Sequence, residues 1–505
     1  MSKQLLIVLV LSICAFHQTQ AQDPSESKRA GIYEFNDSLK TAFSNVFSLR
    51  FEKASKSLVA ERLRNPYNLM THFMEDYLDF YKVFVSESIN QKERLSVTRQ
   101  QRLEKMATGD EGSPYFLFCQ AQMLLHEALL QLKFGMNEEA VPNIKKAYNL
   151  LEDNIKLFPK FVENKMVLGV IQILVAATPG KNKWGNVKGS IDKGLKNLVE
   201  IIEYGEKYPK FEFNQHVQVT YASMLMYLRN HDGDDWRKIN DQILDFKESS
   251  LANYVIANMY LYIGNTPKAF ITLQQRPMGD DQIPFFHLEY LEGLCKVYRL
   301  DFSASKNFKT YLSKYYGVHY IKDTYQKLAW IDLLKNKGKE YSFYNGKTLV
   351  KGTAITPRDR DAQHEAQDGG RPNPELLKAR LLFKGGYYSK AMSSMEQCKI
   401  STLKTEREKL EHPFRIGRIY HKMRRYDDAL LKYDEVLEAG NQKPYYYAGK
   451  AALEAARIWE NRGNMSKAKF YYERCLKQDP QHHAKVLHQE AQFQLDKIKA
   501  SRKKK

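Results

Sequence analysis

The chain lacks a run of apolar residues long enough to cross a membrane, and it is poor in residues that break helices. The two longest apolar runs, Leu5–Phe16 and Met166–Ala177, hold 12 residues each, whereas a membrane span needs about 20. Of 505 residues only 26 are Gly and 16 are Pro, but 32 are Tyr and 26 are Phe. This composition favours long helices packed by large side chains, with no transmembrane span after the N-terminal segment.

Cysteine is scarce, with five in the whole chain, and Cys14 lies in the N-terminal apolar run. The other four are far apart within helical patterns: Cys119, Cys295, Cys398 and Cys475. No pair has the spacing of zinc ligands, and no disulfide framework is visible. We therefore predict no metal site and interpret these cysteines as small, reduced core residues.

Motifs for common enzyme chemistry are also absent. The sequence contains no His-Glu-x-x-His, no Gly-x-Ser-x-Gly and no dinucleotide fingerprint. Gly189 and Gly194 have the separation of a phosphate-binding loop, but Leu195 stands where that loop needs lysine. We predict a protein that is not an enzyme and has no cofactor.

Residues 1–21 have the pattern of a secretory signal peptide. Lys3 precedes the apolar run, and Ala21 provides a small residue at the expected cleavage point. Residues 22–30 are polar and are predicted to be a linker. The short signal and its junction favour export to the periplasm or cell surface of a diderm bacterium.

The net charge is +19, and removal of Lys3 with the signal leaves +18. A basic surface attracts nucleic acid, anionic lipid or acidic proteins. For an exported protein we predict acidic protein segments and no nucleic acid. Much of the clustered charge lies in Lys497–Lys505, which we interpret as a solvated tail.

A repeated spacing occupies Pro413–Gln481. A small residue is followed by an aromatic residue three positions later, a small residue nine later and an aromatic residue four later. The first copy contains Gly417, Tyr420, Ala429 and Tyr433, and the second contains Ala456, Trp459, Ala468 and Tyr472, with Pro480 as its predicted helix stop. Small residues let two antiparallel helices approach closely, and the aromatic rings fill the gaps beside them.

This pattern resembles the tetratricopeptide repeat, a helical hairpin of about 34 residues. The resemblance implies an all-α solenoid of antiparallel hairpins in a right-handed superhelix. We predict a tetratricopeptide-like region at 31–336, a polar loop or linker at 337–373 and a tetratricopeptide array at 374–485. Residues 486–505 are predicted to be a helix end and basic tail. The solenoid would thus have two parts.

The resemblance also implies which residues face a concave groove. Eleven positions before the small residue of each second helix, the array repeats arginine at Arg380, Arg418 and Arg457. Three positions further on stand Phe383 and His421. Such arginines could bind carboxylates through paired hydrogen bonds, or they could be three unrelated solvated side chains.

Two functions remain open at this stage. The first is a non-catalytic scaffold that binds a partner protein in the groove. The second is a helical-repeat protein that binds a small anionic ligand or glycan. A long open groove would favour the scaffold, and a closed pocket with converging polar groups would favour the small ligand. The sequence makes no prediction of oligomeric state.

Overall fold

The computed structural model describes residues 31–178, 181–228, 233–239 and 244–502. Within these ranges the chain forms 24 α-helices and two short 3₁₀ segments, and its β-pairing is confined to the isolated bridges Gly31–Gly109 and Ile32–Asn68. The prediction of an all-α fold is therefore confirmed. The predicted signal peptide and linker, residues 1–30, lie outside the described residues.

The helices of the first half are α1 Asp37–Phe47, α2 Phe51–Arg64, α3 Met70–Ser86, α4 Ile89–Met106, α5 Tyr115–Lys133, α6 Asn137–Leu157, α7 Asn164–Ala177, α8 Ile191–Lys207, α9 Asn214–Tyr227, α10 Gly233–Trp236, α11 Ser250–Tyr262 and α12 Thr266–Gln274. Those of the second half are α13 His287–Tyr298, α14 Ala304–Lys314, α15 Ile321–Asn336, α16 Tyr341–Val350, α17 Pro357–Gln367, α18 Pro374–Lys384, α19 Tyr388–Gln397, α20 Glu406–Lys422, α21 Tyr426–Ala439, α22 Tyr447–Asn461, α23 Met465–Leu476 and α24 Ala484–Arg502.

Most helices pair with their sequence neighbour as hairpins, and the hairpins stack. The closest pairs include α5 with α6, α7 with α8, α20 with α21 and α22 with α23. The first helices of successive hairpins also contact one another, as α18, α20, α22 and α24 do. This stacking buries the apolar face that a lone hairpin would leave exposed, and it confirms the solenoid prediction.

Short polar side chains and glycines set the ends of the helices. Thr405 begins α20 with a capping box, in which its hydroxyl accepts from the Glu408 N–H and the Glu408 carboxylate accepts from the Thr405 N–H. Gly135 lies in the turn between α5 and α6. Its φ is +79°, a backbone conformation that residues with a side chain rarely adopt.

The predicted repeat positions lie where two helices approach. Ala429, Ala456 and Ala468 are fully buried, and so are the rings of Tyr433 and Tyr472. The Pro480 prediction was wrong in detail. Helix α23 ends at Leu476, four residues earlier, so its end does not depend on the proline.

The prediction of a polar loop at 337–373 was wrong, because this stretch contains helices α16 and α17. Helix α17 begins at Thr356-Pro357, where the Thr356 hydroxyl accepts from the Asp359 N–H. Its buried face is only Asp359, Ala362 and Ala366. The apolar period is therefore too weak to see in the sequence, because polar contacts hold this helix in place.

The core also continues across this stretch. Helix α18 packs against both α13 and α15. Leu377 and Leu381 of α18 belong to the same apolar cluster as the N-terminal helices, while two smaller clusters fill α18–α20 and α20–α24. Helices α16 and α17 thus lie beside a continuous stack of hairpins.

The predicted basic tail was also wrong in part. Helix α24 continues to Arg502, and Leu487, Ala491, Leu495 and Ile498 are buried on one of its faces. These residues recur every three or four positions, as a helix that packs on its neighbour requires. Residues 503–505 lie outside the described part of the chain.

Candidate functional site: the concave cavity

A cavity of about 2880 Å³ runs along the inner face of the solenoid. It is lined by α3, α5, α7, α9, α11 and α13, and then by α17, α18, α20, α22 and α24. The predicted groove residues Arg380, Phe383, Arg418, His421 and Arg457 all line it. Of the predicted repeat positions Tyr433 also lines it, and the others do not.

Arg380 is held by other residues of the chain. Its Nη1 lies 2.8 Å from Oε2 of Glu365 in α17, and its guanidinium carbon lies 4.6 Å from the centre of the Trp330 ring. The other Glu365 oxygen accepts from the Trp330 indole N–H at 2.6 Å. Arg380 is therefore a fixed part of the cavity wall.

Arg457 is also paired, whereas Arg418 has no ion-pair partner among the described residues. Arg457 bonds to Glu454 in its own helix and to Glu490 of α24. The Arg418 guanidinium carbon lies 4.3 Å from the centre of the Phe383 ring, a cation–π contact. The three arginines share a register but do not form a uniform row of free cations.

His421 lies beside this arrangement. Its Nδ1 is 3.3 Å from the Tyr433 hydroxyl and 3.6 Å from Oε2 of Glu454. Burial lowers the pKa of His421, and the nearby Glu454 carboxylate only partly opposes this. The imidazole is therefore mainly neutral at pH 7 and serves as a hydrogen-bonding group.

Helix α17 closes one side of the cavity with a row of acidic side chains. Asp361 lies 3.9 Å from His483, and Asp368 lies 3.4 Å from His482 and 2.8 Å from Arg407. With Glu365 these acids occupy positions i, i+4 and i+7, one face of a helix. Sequence reasoning missed this wall, although that spacing and the Thr356-Pro357 start were visible signals.

Tyrosines line the middle of the cavity, where α11, α13 and the start of α15 meet. The rings of Tyr290 and Tyr320 stack 4.7 Å apart at 12°. Tyr254, Tyr262 and Tyr298 also line this region, together with Arg358 and Lys384. Neither cation has the repeat register used to find the arginines, so the sequence reasoning did not select them.

Comparison with known proteins assigns one hairpin directly. Residues 450–482, which include most of α22 and all of α23, match the family model described as "Tetratricopeptide repeat". This segment is a tetratricopeptide repeat. The match confirms the predicted tetratricopeptide type, and the stacked hairpins confirm the helical-repeat fold around it.

The other comparisons are less informative than this tetratricopeptide match. No curated protein matches the chain. A solved structure titled "Human IFIT1 dimer with PPP-AAAA" covers 88% of this chain and 95% of its own, with 12% identity and a TM-score of 0.32.

Two features are absent from the described residues. None of the helices in that part of the chain is both long and apolar enough to cross a membrane. The same residues contain no group of three or more His, Cys, Asp or Glu side chains arranged to hold a metal ion.

Proposed function

We propose that the protein is a binding scaffold whose concave cavity holds an extended segment of a partner protein. The observation that carries this proposal is the continuity of the cavity, which follows the first helices of successive hairpins over most of the chain. Stacked hairpins create extended concave surfaces that suit a peptide better than a small molecule.

Acidic side chains on the partner suit the C-terminal part of the cavity. Arg418 and Lys422 line it without a carboxylate within ion-pair distance among the described residues. The aromatic rings of Phe383, Tyr388 and Tyr446 line the same surface and offer apolar contact. A segment with acidic and apolar residues would complement both features.

We further propose that the protein acts in the envelope of a diderm bacterium. The support is the signal-like pattern of residues 1–21 and the Ala21-Gln22 junction. In this setting the scaffold would hold other envelope proteins and would carry out no chemistry itself. Fractionation of cells and sequencing of the mature N-terminus would test both the location and the cleavage point.

The scaffold proposal can be tested by capture from an envelope fraction. The purified protein would be immobilised beside a variant carrying Arg418→Gln and Lys422→Gln. A matched control would carry Lys399→Gln and Lys404→Gln, which remove equal charge from exposed residues outside the cavity. We expect the cavity variant, and not the control, to lose at least tenfold of a specific protein partner.

Salt dependence adds a second criterion. Contacts between exposed charges are screened beyond about 8 Å at physiological ionic strength. Capture by the native cavity should therefore weaken as salt rises. Equal capture by the cavity variant and the control would contradict the proposal. Failure to capture any protein, with a small anion or glycan bound instead, would favour the alternative of a small-ligand carrier.

A further inference from the structure

The cavity changes its chemical character along the solenoid. Helices α3, α5, α7, α9 and α11 line what we call its apolar half, and α17, α18, α20, α22 and α24 line its charged half. Each helix of the charged half places at least two charged side chains on the cavity. Of the described side chains with which the other five helices line it, only Lys133 carries a charge at pH 7.

This one charge is already neutralised within the protein. The Lys133 Nζ lies 2.7 Å from Oε1 of Glu87 and 4.3 Å from the centre of the Phe84 ring. The two histidines of this half are neutral at pH 7, because burial lowers the pKa of His126 and lowers the pKa of His216 to about 3. A charged group that entered the apolar half would lose its water without gaining a partner of opposite charge.

Apolar side chains of this half are open to the cavity. Phe84 of α3 and Leu129 and Leu132 of α5 are half-buried, and Tyr227 of α9 is 45% exposed. These side chains belong to three different hairpins, so the apolar surface is continuous along the inner face only in the folded solenoid. A continuous apolar surface inside a cavity marks a binding site for an apolar partner.

Polar side chains in the apolar half bond to other groups of the protein. His126 lies 2.7 Å from Asp76 and 2.8 Å from Gln122. The Ser223 hydroxyl donates to the Val219 carbonyl at 2.7 Å. An extended peptide would bring unbonded N–H and C=O groups into this half, and the walls offer them little to bond. A helix bonds its own backbone except at its ends, so it enters such a site at a lower cost.

The size of the cavity favours a helix over an acyl chain, the other apolar group that needs no hydrogen bonds. Sites for small molecules measure about 300–1,000 Å³, whereas this cavity measures about 2880 Å³. A helix of about ten residues is roughly 15 Å long and 10 Å across, so it occupies on the order of 1,000 Å³. Its side chains can therefore reach several walls of the apolar half at once.

We propose that the apolar half of the cavity binds an apolar helix of the partner protein, and that charged residues next to this helix lie in the charged half. This inference rests on the proposed function, and it specifies the partner segment as helical where it meets the apolar walls and extended beyond them. Burial against Phe84, Leu129, Leu132 and Tyr227 supplies affinity, as in other grooves that bind helices. The charged half sets the direction of the segment.

Three labelled peptides serve as probes. The first joins a helix of Leu, Ala and Gln, about 15 residues long, to a short stretch of Glu and Ser. The second carries Pro in the middle of the apolar part, which breaks the helix and keeps the part apolar. The third has Gln in place of each Glu. By fluorescence anisotropy we expect the native protein to bind the first peptide at least tenfold tighter than the second, and the third with an affinity that does not depend on salt.

Two matched protein variants locate the binding. The apolar-half variant carries Leu129→Gln and Tyr227→Gln. The control carries Leu63→Gln and Tyr316→Gln, whose native side chains are 79% and 92% exposed and lie outside the cavity. We expect the apolar-half variant to lose at least tenfold in affinity for the first peptide and the control to bind like the native protein. Circular dichroism and thermal melting would establish that both variants fold.

Equal binding of the first and second peptides would overturn the proposal, because it would mean that the segment binds without forming a helix. That comparison uses the native protein alone, so it decides the question even where a variant does not fold. Unchanged affinity in a folded apolar-half variant would also overturn it. Palmitate is the probe for an acyl chain, and binding of palmitate without binding of the first peptide would contradict a helical occupant.

Capture from the envelope fraction separates this inference from the scaffold proposal. A specific partner protein that the apolar-half variant retains in full would leave the scaffold standing and refute the bound helix. Tight binding of the first peptide, lost in the apolar-half variant, would support the helix site even where no envelope protein is captured and the scaffold proposal fails.

Discussion

Gly417 of α20 lies directly against the ring of Tyr433 of α21. A Cβ atom at Gly417 would be 2.9 Å from the Tyr433 ring, closer than side chains normally approach. The ring cannot move aside, because Tyr433 is fully buried. The hairpin therefore requires glycine at this position for steric reasons, and not for its conformational freedom.

We predict that Gly417→Val lowers the free energy of unfolding by about 1–3 kcal/mol through overpacking. Gly346, in α16, is the matched control because a Cβ there would meet no atom within 4 Å. Gly346→Val should change stability by less than about 0.5 kcal/mol. Chemical denaturation of both variants measures the difference, and equal effects would show that the α20–α21 contact is looser than described.

The four described cysteines should be unreactive in the native protein. Cys119, Cys295, Cys398 and Cys475 are all free and buried. Burial raises the pKa of the Cys295 and Cys475 thiols to about 12, so almost no reactive thiolate exists at pH 8. A thiol reagent should label all four only after the protein unfolds. Fast labelling of any one without denaturant would contradict its buried position.

Glu87 makes stability sensitive to acid. Its Oε1 atom lies 2.7 Å from Nζ of Lys133, 3.0 Å from Nδ1 of His319 and 3.4 Å from Nε2 of His287. Although burial alone would raise it, the Lys133 charge and the histidine hydrogen bonds hold the pKa of Glu87 well below its ordinary 4.5. Burial also lowers the pKa of His287 below its ordinary 6.5.

The lowered pKa values of Glu87 and His287 both make the native protein less stable as the pH falls. The unfolded chain binds more protons than the native protein below pH 6.5 at His287 and below about pH 4.5 at Glu87. Stability should therefore fall as pH drops through this window. Glu87→Gln should cost about 3 kcal/mol at pH 7 because it leaves the partly buried Lys133 without its carboxylate, and it should flatten the loss of stability below pH 4.5.

The control for this prediction is Glu93→Gln, which changes an exposed glutamate of α4. Its stability curve should follow that of the native protein across the same pH range. Denaturant melts at several pH values would measure all three proteins. An unchanged acid slope in Glu87→Gln would mean that other buried carboxylates, such as Asp76, dominate the acid response.

Arg380 and Arg418 should behave differently although they share a repeat position. Arg380→Gln breaks the bond to Glu365, a charge-assisted contact, and should cost about 1.5–3 kcal/mol. Arg418→Gln removes a cation–π contact and should cost about 0.5–1 kcal/mol. Thermal melting of the two single variants compares them. Equal losses would argue against Glu365 as the fixed partner of Arg380.

The sequence predicted helices wherever a strong apolar period or small-residue spacing existed. The α20–α21 and α22–α23 hairpins are examples, because Ala429 and Ala468 must lie at contacts for the chain to pack. Helix α17 was missed because it is held by acidic side chains, which meet Arg380 of α18, Arg407 of α20 and His482 of the loop before α24. Its partners are known only once the solenoid has curved.

The same limit applies to the cavity. The repeat position predicted that Arg380, Arg418 and Arg457 face the cavity, because the direction of a side chain on a helix depends only on local geometry. Their intrachain partners, and the contacts of Arg358, depend on residues far apart in the sequence. Arg358 meets Tyr290, 68 positions away. Pattern reading along one chain does not capture such contacts.

The packing of α18 on α13 changes how the repeat stack should unfold. In a strictly linear array each unit touches only its neighbours, so a weak unit in the middle lets the two ends melt separately. Here α18 bypasses α14, α16 and α17 to reach α13. We therefore expect the two ends of the stack to stay coupled when α16 loosens, and the chain to melt as one cooperative unit although the sequence suggests two parts.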